Sequence, residues 1–192
     1  MCGKFTAMSS WSEVVAFSQA LTETGSDASG DKGGGGSNDS IVTYRVNGLL
    51  PVIVWNAEAG KRQVVRMRWG FPDPRDWRRP RPIHGRAETI GAKEPFRTPF
   101  LAGQRGIVVF RTFNEGEEVG SKTRQYVLTP GDRKPVAIAV IWDRFTTEGG
   151  MTYLAYVMVT TAANRLITPI TDRMPAVLEQ KDIGGWLGER FP

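Results

Sequence analysis

At 192 residues, 40% of them hydrophobic and 23% charged, the chain is long enough to bury the core of one ordinary domain and has a globular composition. A single cysteine excludes an internal disulfide, and together with a single histidine it leaves too few ligands for a zinc site built from protein alone. No run of about 18 apolar residues is present to span a membrane, and no basic segment followed by an apolar one marks a signal peptide, so a cytoplasmic location is expected.

The chain opens Met1-Cys2-Gly3-Lys4-Phe5, and the position of Cys2 matters more than its identity. Removal of Met1, which a small second residue permits, leaves an α-amine and a thiol on one residue. Such a 1,2-aminothiol condenses with an aldehyde to a five-membered thiazolidine, whereas an internal cysteine offers only a reversible hemithioacetal. With an α-amine pKa of ~7.7–8, roughly a tenth to a fifth is neutral at pH 7, and the thiol, near 8.5, supplies roughly a few per cent thiolate. The competing reading is a lone cysteine buried as a small hydrophobe.

Residues 10–22 are expected to form a helix: Ser10 and Glu13 have capping-box spacing, and Trp11, Val14, Val15, Ser18 and Leu21 share one face. The Gly/Ser-rich stretch 24–40 cannot bury a core. It reads as a flexible insertion within a single domain spanning 1–192, because too little chain precedes it to form another. Apolar, β-branched stretches then recur at 41–46, 52–55, 63–69, 106–110, 125–129, 136–142 and 152–160, several alternating with period two between turn residues. Short helices are expected at 94–102, 162–167 and 182–187, and the proline-rich 75–82 as an extended loop. The pattern is α+β and mostly antiparallel, with no strand–helix–strand rhythm and no internal repeat.

Charge is unevenly placed. Between Lys61 and Arg97 eleven Lys/Arg stand against four acids, a net +7, while the rest of the chain is −2. Interleaved with Trp69, Phe71 and Trp77, this stretch suits a polyanion whose bases stack on aromatic rings. A solvated basic face without a partner is the alternative.

Two further segments carry motifs: Met67-Arg68-Trp69-Gly70-Phe71-Pro72 with Ile83-His84-Gly85-Arg86-Ala87-Glu88-Thr89, and Thr160-Thr161-Ala162-Ala163-Asn164 with Pro169-Ile170-Thr171-Asp172-Arg173-Met174-Pro175. With the Met-Cys-Gly start, they resemble the SOS response-associated peptidase family, whose patterns include Arg-Trp-Gly, Asn-Ala-Arg-Ala-Glu-Thr, Gly-Phe-Tyr-Glu-Trp and His-Asp-Arg-Met-Pro, in the same order. The resemblance implies mostly antiparallel strands curled into a pseudo-barrel with short flanking helices. It also implies a protein that traps abasic sites in single-stranded DNA by linking its N-terminal cysteine to the ring-opened sugar, after removing its own methionine. No cofactor, metal, membrane or obligate protein partner is called for, and the expected location is cytoplasmic and nucleoid-associated.

Carried over by that resemblance, Cys2 is the nucleophile and Glu115 the carboxylate that handles protons beside it. Arg86, Arg173 and Arg97 match phosphate-holding arginines, a task suited to the guanidinium fork. Lys4 keeps the charge of a family arginine without its bidentate geometry. Trp69 matches a tryptophan beside the DNA path, Asn47 an asparagine near the cysteine, and Thr160 a threonine near the site. Glu115 also reads as a solvated turn acid, and Trp69 as a core residue of a strand.

Four positions depart from the pattern: His84 for asparagine, Thr171 for histidine, Asn114 for tyrosine and Gly116 for tryptophan. Threonine exchanges no protons usefully near neutral pH, so one hypothesis gives His84 part of the acid–base role lost at Thr171. The other leaves His84 a polar pocket residue in a weakened relative. Three functions follow: an abasic-site trap, a single-stranded DNA-binding module that no longer reacts, and an N-terminal-cysteine amidotransferase. The last lacks a histidine in an early Arg-His-Arg-Gly context and keeps only Asn47-Gly48 of an oxyanion element.

Overall fold

A computed structural model of the chain describes residues 4–7, 14, 42–73, 75–76 and 79–189. The expected insertion at 24–40, the helix at 10–22 apart from Val14, and Cys2 lie outside the described residues. The strands are β1 (Lys4–Ala7), β2 (Val42–Arg45), β3 (Leu49–Asn56), β4 (Lys61–Trp69), β5 (His84–Arg86), β6 (Arg105–Phe110), β7 (Thr112–Val119), β8 (Lys122–Leu128), β9 (Val136–Thr146), β10 (Thr152–Ala162), β11 (Arg173–Pro175) and β12 (Val177–Leu178). Two short helices, α1 (Arg97–Leu101) and α2 (Ile183–Leu187), accompany them. No helix among the described residues is long and apolar enough to cross a membrane.

Five strands close into a barrel. Antiparallel pairs run β4–β3, β3–β6, β6–β9 and β9–β10. The ring is completed by parallel pairing of Ala155–Tyr156 of β10 with Arg68–Trp69 of β4. Alternate residues fill the interior: Leu50, Val52 and Val54, Met67 and Trp69, Val108 and Phe110, Ile138 and Val140, Tyr156 and Met158. A barrel this small is packed with side chains and has no lumen. The opposite faces of the same strands are also covered: Ile53, Val64, Ile107 and Ala137 pack with Val14, Ile183 and Leu187. Burial on both faces explains why Gly106–Phe110, Val136–Ile141 and Ala155–Val159 are unbroken apolar runs instead of alternating ones.

A second sheet, in the order β2-β1-β7-β8, shares no ladder with the barrel but packs on it through Tyr44 and Phe113, which lie against the barrel core. β8 overlaps the strand expected at 125–129, whereas the Asn-Glu-Gly-Glu-Glu run of β7 carries too little apolar alternation to announce a strand, so β7 escapes sequence reading. The helix expected at 162–167 does not form. β10 continues to Ala162, and Asn164 Oδ1 then accepts from the amides of Leu166 and Ile167, which opens a helical turn. The turn runs on past Pro169, with Ile170 and Thr171 N–H both donating to Ile167 O, but Pro169 has no N–H to give and no regular helix follows. The helix expected at 94–102 is confined to Arg97–Leu101, with Pro99 tolerated in its first turn.

Candidate active site

The β2–β3 connection is built on Asn47. Gly48 N–H closes a turn onto Arg45 O at 2.9 Å, with Asn47 at φ 68°, a left-handed conformation that asparagine tolerates better than most residues. Its amide N–H donates to Trp69 O at 2.8 Å, and its Oδ1 accepts from Arg68 at 3.3 Å. Asn47 is therefore fastened to the end of β4.

Past that end, Gly70 turns the chain at φ 105°, and a Cβ there would meet Pro80 Cβ at 2.7 Å. Phe71 N–H donates to Pro82 O at 3.0 Å, folding the 79–83 segment back over β4. The result is a groove of about 840 Å³ lined by Val46, Asn47, Arg79, Pro80, Arg81, Pro82, Ile83 and His84. Its walls are apolar, with Asn47 and His84 as polar groups and two arginines. Arg79 and Arg81 entered the sequence reading only as part of a charged window. The signal for their role was Arg-Pro-Arg-Pro, where each proline fixes the backbone beside an arginine.

His84 packs edge-on against Trp69, ring centroids 6.0 Å apart. Burial, with a smaller push from the positive amino terminus, lowers its imidazole from the ordinary 6.5 to about 4. At neutral pH His84 is uncharged. It can accept a proton or a hydrogen bond but cannot serve as a general acid, which narrows the exchange of roles with Thr171. The two also sit at different levels: His84 is opposite Met158 of β10, whereas Thr171 lies in the loop leading to Arg173, which is level with Ala162.

Glu115 is 4% exposed on β7, which overturns the reading of a solvated turn acid. Gly116 N–H approaches its Oε1 at 3.4 Å. The register of β1 bears on the same place. Phe5 pairs with Phe113 and Lys4 with Arg45, so moving toward the amino-terminal end of β1 moves toward Glu115 on one side and the Asn47 turn on the other.

Three DNA-binding expectations meet obstacles. Trp69 is fully buried in the barrel with its Nε1 donating to Ile83 O at 3.1 Å, so no ring face is open to a base. Phe71, 1% exposed, is likewise core, and Trp77 lies outside the described residues. Thr160 is 4% exposed, its carbonyl accepting from Ala87 N–H at 2.9 Å and from Arg173 at 2.7 Å. Arg173 itself is bidentate to Glu88, both contacts 2.9 Å. Of the remaining arginines, Arg86 is exposed on β5 and Arg97 is exposed at the start of α1. The +7 window is thus not one patch: Arg62 turns to Glu189 near the other end of the chain, while Arg79 and Arg81 face the groove.

A sequence model of the SOS response associated peptidase family matches residues 1–191. The chain belongs to that family. Among curated relatives, it is 25% identical over 199 residues to the abasic site processing protein YoqW of Bacillus subtilis, covering 99% of this chain and 81% of the relative. It is 26% identical to YoaM of the same organism, covering 99% and 80%. With YedK of Escherichia coli it shares 28% identity over 123 residues, 64% of this chain and 54% of that one. Among solved structures, a Bordetella bronchiseptica protein superposes with a TM-score of 0.76 at 19% identity, covering 97% of this chain and 88% of that one. Within the family frame, the familiar Arg-Ala-Glu-Thr and Asp-Arg-Met-Pro motifs meet through the Glu88–Arg173 pair.

Proposed function

We propose that this chain processes abasic sites in DNA, binding the single-stranded form along the Asn47–His84 groove and attaching to the ring-opened sugar through Cys2 once Met1 is removed. The observation that carries this reading is the register of β1. Cys2 is two residues ahead of Lys4, no more than ~7 Å of extended chain, and β1 points between Asn47, which lines the groove, and Glu115. Family membership and the names of the relatives agree with it.

The chemistry needs no group beyond the chain. The neutral α-amine of Cys2 adds to the aldehyde carbon, and the carbinolamine loses water to give an imine. The thiolate sulfur then adds to the same carbon while the nitrogen takes up a proton, closing the thiazolidine. One aldehyde and one aminothiol give the ring plus one water. In this reading Glu115, buried on β7, accepts and returns the protons these steps move. Arg79, Arg81 and Arg86 supply exposed cations for the phosphates.

A second reading, a module that binds DNA without reacting, is favoured by Thr171 where the family has histidine. One experiment separates them: incubate the protein with single-stranded DNA carrying one abasic site, then examine denaturing gels and intact mass. An adduct whose mass is protein minus Met1 plus DNA minus water, absent in Cys2→Ala, supports the trap. Salt-sensitive binding without an adduct supports the module, and glutaminase activity without either supports the amidotransferase.

A further inference from the structure

We propose that Arg105, with Phe100, Leu101 and Trp186 around it, is a docking site for a protein partner: a short acidic peptide segment that carries an apolar residue beside its carboxylate. The inference goes beyond the reading above and stands without it, since the site shares no residue with the Asn47–His84 groove.

Arg105 opens β6 on the outer face of that strand, because a Cβ on its neighbour Gly106 would meet Val52 and Val140 of the barrel interior. Phe100 reaches it from α1 and Trp186 from α2. The guanidinium carbon lies 4.7 Å from the Phe100 ring centroid and 5.6 Å from that of Trp186, and the two rings are 6.4 Å apart. Trp186 is itself fixed, its Nε1 donating to Gly106 O at 2.8 Å. Ring contacts of this kind engage the faces of the planar cation and leave the N–H donors along its edge unused.

Those donors find no acceptor in the chain. The other half-buried arginines, Arg62, Arg68, Arg111 and Arg173, each have a partner. Arg105 has no side-chain hydrogen bond or ion pair among the described residues, and its Nε is buried without one. The carboxylate of Asp143 is engaged elsewhere, by Gln104 at 3.2 Å and by Arg144 N–H at 2.7 Å. A guanidinium oriented by two rings and lacking a counter-ion is prepared for a carboxylate, which accepts from two of its N–H groups at once.

The surroundings decide which anion fits. Leu101, at the end of α1, is 61% exposed. It is held beside Arg105 by a tight turn, in which Gly103 N–H donates to Phe100 O at 3.2 Å and Gln104 N–H to Pro99 O at 3.0 Å. A Cβ at Gly103, or at Gly185 beside Trp186, would meet nothing, so both flanks are open to an approaching chain. An exposed leucine and aromatic edges around an arginine have the composition of a protein-interface anchor. A nucleic-acid strand would find no free ring face for its bases, because the guanidinium lies over both rings.

The test selects a displayed library of random octapeptides against the full chain, then measures an enriched sequence, synthesised with both ends blocked, by fluorescence anisotropy. Enrichment of Asp or Glu next to Leu, Ile or Phe is expected, with binding lost when the acids are replaced by their amides. Arg105→Gln should weaken the peptide by at least about tenfold, the worth of a charge-assisted hydrogen bond. Arg105→Lys, which keeps the charge without the fork, should fall between that variant and the parent. Leu101→Ser, at an exposed position where folding is not at stake, should weaken it by about threefold to tenfold. No enrichment, enrichment of neutral or basic sequences, or equal binding by Arg105→Gln and Leu101→Ser overturns the site. So does a fall of about 0.7 in the salt slope of single-stranded DNA binding in Arg105→Gln, which would make Arg105 a phosphate contact.

Discussion

His84→Asn restores the residue that the family pattern carries at this position and removes the chain's only histidine. In the folded protein the imidazole is pushed down to about 4, against 6.5 when unfolded, and the dominant cause is burial against the groove wall and Trp69. As pH falls, the unfolded state therefore takes up this proton first, and stability is lost. The loss begins near pH 6.5 and is complete near pH 4; above 6.5 the group contributes nothing. From the two values, the penalty is about 2 kcal/mol at pH 5 and about 3 kcal/mol by pH 4. Carboxylates also titrate in that range, so the informative quantity is the difference between parent and His84→Asn in urea unfolding at matched pH. The parent is expected to lose about 2 kcal/mol more than the variant between pH 7.5 and pH 5. Parallel losses would refute the assignment of a buried, neutral imidazole. The same value predicts that any cross-linking rate shows no break near pH 6.5 attributable to His84.

Three further outcomes follow from the geometry. Gly70→Ala places a Cβ 2.7 Å from Pro80 at a positive φ; it is expected to cost about 2–4 kcal/mol in urea unfolding and to loosen the 79–83 segment. Arg79→Gln/Arg81→Gln should lower the salt slope of single-stranded DNA binding by about 1.4 with stability unchanged, as measured by fluorescence anisotropy across salt. Trp69→Leu should destabilise the fold by about 2–4 kcal/mol while the folded protein keeps its DNA affinity; a stacking platform would instead lose about 1–3 kcal/mol of binding.

The barrel strands were legible because their residues are apolar on both faces, and continuous runs such as Val136–Ile141 leave little room for another reading. β7 was not, because Thr112–Val119 carries acids and a glycine and is held as a strand by pairing with β1 and β8, long-range partners that no local pattern reveals. The same difference separates the site residues. Asn47 and His84 were named from motifs and line one groove, and Glu115, which also read as a solvated turn acid, is buried. Arg173 was matched to a phosphate-holding arginine through its motif; its contact with Glu88, 85 residues earlier, is one that no local pattern reveals. Trp69 offered two readings that the sequence left open, and its complete burial in the barrel decides for the interior.

The first strand of a chain usually frays, since it is tethered on one side at most. β1 is different: it is an inner strand, bonded to Val42–Arg45 on one edge and to Thr112–Phe113 on the other. Freeing it requires breaking two ladders at once, so the segment beside the proposed reagent opens only in a sub-global event, with an opening free energy closer to that of the whole fold than to that of a loose end. The base from which the proposed reagent extends is thus set when the two ladders form, before any substrate arrives.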